Sequence, residues 1–98
     1  MNRPISYPDL IAVLREAQEF LAQPENDFAW SSWAGAEQGL DELRGHIAGL
    51  EAGQPPRRIR LETLFAPTGP LQEVSVGSGR GQQFLSMAKR FDAAMGIG

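Results

Sequence analysis

Apolar residues recur at helical spacing over three stretches of the chain. Leu10, Val13, Leu14, Ala17, Phe20 and Leu21 return every three or four positions, with Arg15, Glu16 and Glu19 between them. That period predicts an amphipathic helix with one buried face. Ser6 is placed to cap it, with Asp9 three residues on as the acid of a capping-box-like pair. Pro8 is tolerated in a first turn because its missing N–H has no intrahelical partner there. Pro24 ends the element, and Asn26 or Asp27 is available to cap the next one. Trp33, Ala36, Leu40, Leu43, Ile47 and Leu50 form a second seam, with Asp41 and Arg44 able to pair on its wet flank. Gly35, Gly39, Gly45 and Gly49 weaken this helix, permit close approach of a neighbour, or mark a break near 35–39. Gly53 is a C-cap candidate before Gln54-Pro55-Pro56. The pair should form an antiparallel helical hairpin over residues 6–53. A last helix, from about 82 to 95, is expected to bury Phe84, Leu85, Ala88, Phe91 and Met95.

The stretch between the hairpin and the last helix reads less cleanly. Ile59 and Leu61 alternate with charges as a strand would, yet Leu61, Leu64 and Phe65 share a helical face, which favours a short helix within 57–65. Residues 66–70 are turn chemistry. Residues 71–76 read as irregular: Val74 and Val76 suit a strand face and Pro70 suits a helix start, so a short β-hairpin has room at 67–81. Gly77-Ser78-Gly79-Arg80-Gly81 reads as a flexible loop. The fold class expected is all-α: one compact bundle over residues 1–98, with a hairpin, one short helix and one terminal helix.

Composition narrows the class. The chain is 98 residues long, 42% hydrophobic and 21% charged, enough for one core. It has no cysteine, which removes disulfides and thiolate metal sites and favours a reducing cytoplasm. No apolar run approaches the length of a membrane span, and the first ten residues lack the apolar core of a secretory signal. Charge is unevenly spread: nine acids and three bases in residues 1–53 give −6, and three acids and six bases in 54–98 give +3. Only Arg57, Arg58 and Arg60 cluster, so nucleic acid is not the expected ligand.

Candidate chemistry is sparse. Ser78, Gly79, Arg80 and Gly81 precede a helix, in the manner of an anion-binding turn. Gln82 stands where the dinucleotide fingerprint requires its third glycine, and a plain connector explains the segment as well. His46 is the single histidine, without a second metal ligand or a selected nucleophile, and reads as structural or surface. Trp30 and Trp33 lie within one helical turn: Trp33 falls on the seam, and Trp30 suits an interface anchor or a plug at the bundle end. Glu37, Asp41 and Glu42 form a solvated face that could meet a basic partner.

The segments 26–33 and 64–75, with Gly79, Phe84-Leu85, Ala88 and Phe91-Asp92, resemble a group of small bacterial cytoplasmic proteins. The resemblance would cover most of the chain, with an aromatic expected where Arg80 stands. It implies a bacterial cytoplasmic protein and assigns no catalytic or binding residue. The function expected from the residues is not enzymatic: a small protein-binding module, such as an inhibitor or immunity-type protein, with Trp30, Glu37, Asp41 and Glu42 on its partner face. No cofactor or metal is expected. The alternatives are a homo-oligomeric structural or regulatory subunit, and anion or small-ligand binding at 77–81.

Overall fold

A computed structural model describes residues 4–24, 26, 28, 33, 35–66 and 69–97. Five helices follow in order: α1 (Tyr7–Leu21), α2 (Ala36–Glu51), α3 (Arg58–Leu64), α4 (Pro70–Gly77) and α5 (Gly81–Ala94), and no strand occurs among the described residues. The chain is an all-α bundle.

Helix α1 is central, packing against α2 on one side and α5 on another. Its six predicted apolar positions are all buried. Ser6 caps it, its hydroxyl accepting the Asp9 N–H at 3.4 Å. The reciprocal half of a capping box does not form. The Ser6 N–H donates instead to the Ala94 carbonyl, 2.8 Å away, which joins the start of α1 to the end of α5. The α1–α2 pair is antiparallel: Leu21 meets the first turns of α2 beside Gly39, while Arg15 reaches Glu51 at the other end, 2.7 Å away. The predicted seam continues through buried Leu43, Ile47 and Leu50, but helical structure starts only at Ala36. Gly53 ends the helix as expected, at φ +80°, with Gly53 and Gln54 donating back to Leu50 and Gly49.

The second half corrects the irregular reading of residues 71–76 and the β-hairpin at 67–81. Pro70 opens α4 at a position where its fixed φ is pre-organised for a helix. Leu71, Val74 and Ser75 then face the core at helical spacing, while Val76 is left 63% exposed. The alternation of Val74 and Val76 is an accident of two β-branched residues on different helix faces. The glycine loop is not a flexible connector either. Gly77 closes α4, Gly79 takes φ +70° with its N–H on the Val76 carbonyl, Arg80 donates its N–H to Ser75, and Gly81 begins α5. This is a two-bond C-cap that turns directly into the next helix.

In α5 the buried residues are Phe84, Met87, Phe91 and Ala94, with Met95 just beyond. Leu85, expected in that stripe, is 58% exposed. Phe65, directly after α3, stacks on Phe91 with ring centroids 4.3 Å apart. Among the helices, α3 approaches only α4 closely, although Leu61 and Leu64 reach the common core.

Candidate functional site

One concavity is a groove of about 750 Å³ bordered by the end of α3, by α4 and by α5. Its walls include Phe65, Ala66, Phe84, Ala88 and Phe91, all buried or half-buried. Val76 and Leu85, two of the three exposed large apolar side chains among the described residues, line it as well. The sequence hid Leu85 by placing it in a helical stripe that α5 completes with Met87 instead. Exposed apolar residues gathered on a single depression are the usual mark of a binding surface.

Acids supply the groove's outward charge. Glu62 and Asp92 line it; Glu62 lies 3.7 Å from Arg58, and Asp92 has no ion-pair partner among the described residues. Arg80 also borders the groove, but its guanidinium is committed inward. It stacks 3.9 Å from the Phe20 ring centroid, donates to Asn26 Oδ1 and to the Phe20 carbonyl, and donates to Gln83 Oε1. Asn26 donates to the same Phe20 carbonyl at 2.6 Å, so it closes the end of α1 rather than capping α2. Of the residues expected to hold an anion at the glycine turn, Arg80 is therefore spent as a clasp between α5 and the end of α1. Gly79 and Gly81 also line the groove, and Arg80 is the one cation among its described lining residues.

The predicted acidic face is divided. Glu37 is exposed in the first turn of α2. Asp41 pairs with Arg44 at 2.7 Å. Glu42 turns toward His46, with Oε2 3.9 Å from Nε2. Trp30 lies outside the described residues; Trp33 is in the core, 4% exposed, as expected.

Asp41, Glu42 and His46 belong to a second, smaller pocket of about 270 Å³, whose other walls include Gln54, Arg57, Arg60 and Leu61. The His46 side chain is only 8% exposed, and its Nε2 is buried with no hydrogen-bond partner among the described residues. Burial pushes the imidazole below its ordinary pKa; Glu42 opposes the shift, and Arg57 and Arg60 add to it.

The described residues contain no group of three or more His, Cys, Asp or Glu that could hold a metal ion. No described helix is long and apolar enough to cross a membrane. No family profile, curated protein or solved structure matches the chain.

Proposed function

We propose that this protein is a binding module that receives an apolar, basic-flanked segment of a partner protein in the α3–α4–α5 groove. The observation that carries the reading is the placement of Val76 and Leu85, 63% and 58% exposed, on one groove lined by three phenylalanines. Burying two such side chains against a partner contributes about 1.5–3 kcal/mol each before association costs are met. The occupant's charge follows from the rim: Glu62 and Asp92 face outward there and Arg80 does not, so Lys or Arg beside the apolar segment is favoured. An inhibitor or immunity-type role is one use of such a module.

A random peptide library selected on the immobilised protein tests this. Selected peptides should carry apolar residues at helical spacing next to Lys or Arg. Val76→Glu or Leu85→Glu should weaken them by roughly 10-fold or more, and Asp92→Lys by less. Both glutamates stand at exposed positions, so the folded state, checked by circular dichroism, should survive them. Selection of no peptides, or of peptides indifferent to both substitutions, would refute the proposal. So would a stable dimer dispersed by Leu85→Glu, because a second copy of this chain would then be the occupant.

A further inference from the structure

We infer that the pocket between α2 and the 54–61 segment is a site for a small zwitterion, with its ammonium between Glu42 and His46 and its anionic group on Arg57 and Arg60. The site shares no lining residue with the apolar groove and stands independently of the partner-binding reading.

The inference starts from an orphan. His46 Nε2 is buried in the wall of a polar pocket and meets no partner among the described residues. A buried polar atom of this kind calls for a ligand or an ordered water. Glu42 Oε2 lies 3.9 Å away, too long for a hydrogen bond between them. One donor nitrogen seated to the side of this pair can reach both atoms at about 2.8–3.0 Å. A carboxylate has acceptors only, and a neutral imidazole can present an acceptor nitrogen, so the group that satisfies both must donate two hydrogens. An ammonium does so and also matches the carboxylate's charge.

The opposite side of the pocket has the opposite sign. Arg57 and Arg60 both line it, both are exposed, and neither has an ion-pair partner among the described residues. Arg58, the third base of this run, is instead near Glu62. Two guanidiniums set three residues apart suit a carboxylate or a phosphate oxyanion. Asp41, the remaining acid of the wall, is already matched by Arg44. A plain anion bound at His46 would face Glu42 and a plain cation would face the arginines, so a molecule with both charges fits the whole wall. A pocket of about 270 Å³ has room for a molecule the size of a small amino acid.

NMR of the His46 ring during titration with glycine, β-alanine and 4-aminobutyrate tests the site, because these compounds share end groups and differ in charge separation. Acetate, inorganic phosphate and methylammonium serve as single-charge controls. At least one zwitterion should give a saturable shift at a concentration about 10-fold or more below that of every control. Its binding should lower the His46 pKa further, because an adjacent ammonium disfavours the imidazolium. Arg57→Gln, Arg60→Gln and Glu42→Gln should each weaken binding, and Arg58→Gln should not. No saturable shift, equal binding of any control, or a His46 pKa that rises on binding would overturn the inference. The last of these would indicate an anion site.

Discussion

Gly39 and Gly45 sit on the same helix and meet different surroundings. A Cβ on Gly39 would lie 2.8 Å from Leu21 Cδ1 and 2.9 Å from two ring atoms of Trp33. The leucine tip can move, but the indole is buried and held. Gly39→Ala should therefore destabilise by about 1–3 kcal/mol through overpacking, offset in part by helix propensity. Nothing lies within 4 Å of a Cβ built on Gly45, which is exposed. Gly45→Ala should raise stability by about 0.5–1 kcal/mol. Urea unfolding of the two variants should show midpoints moving in opposite directions, and the same direction for both would contradict this packing. Close helix approach was one reading of the four glycines at 35, 39, 45 and 49, and the sequence alone could not say which of them serves it.

The final helix depends on a contact far outside its own sequence. Arg80, its N-cap, reaches Phe20 and Asn26 at the end of α1. Arg80→Ala removes a cation–π contact and leaves Asn26 Oδ1 short of a donor, a loss of about 1–3 kcal/mol. Arg80→Lys should recover only part of it, since an ammonium lacks the planar fork. Thermal unfolding of the three proteins should rank them wild type, Lys, Ala. Local pattern revealed α1 fully, because Ser6 and the six apolar positions agree. It revealed α2 and α5 to within a few residues. It could not resolve α4, where two valines mimic strand alternation, nor place Leu85, since α5 offers two adjacent apolar stripes and only the tertiary neighbours choose between them. Arg80 looked like a loop cation because its partners lie 54 and 60 residues away. The polar pocket was equally hidden: its acids were read as a solvated face and His46 as a bystander, with nothing local to bring Arg57 and Arg60 to them.

Among the described residues, most ion pairs are exposed and contribute little. Arg15–Glu51 and Arg90–Glu16 join α1 to its two neighbours, with side chains about half exposed in the first pair and partly exposed in the second. The buried imidazole has more influence on how stability varies with pH. Its folded-state pKa is depressed, so above the ordinary histidine value of about 6.5 both states are neutral and no difference arises. As pH falls through that value, the unfolded chain takes the proton first and the native state loses stability. Melting between pH 8 and 5.5 should show this decline, and it should be smaller in His46→Gln. An equal decline in the variant would assign the effect to other groups.

Helix α3 stands between the two concavities: Glu62 and the adjoining Phe65 border the apolar groove, while Arg57, Arg60 and Leu61 border the polar pocket. A seven-residue helix that approaches only α4 is the element best placed to shift as a unit. Any displacement of it changes both walls together. Occupancy of one side would then alter affinity on the other, and by thermodynamic reciprocity the factor must be the same in both directions. Calorimetric titration of a groove peptide with and without a saturating amino acid, and the converse, would measure one coupling constant twice.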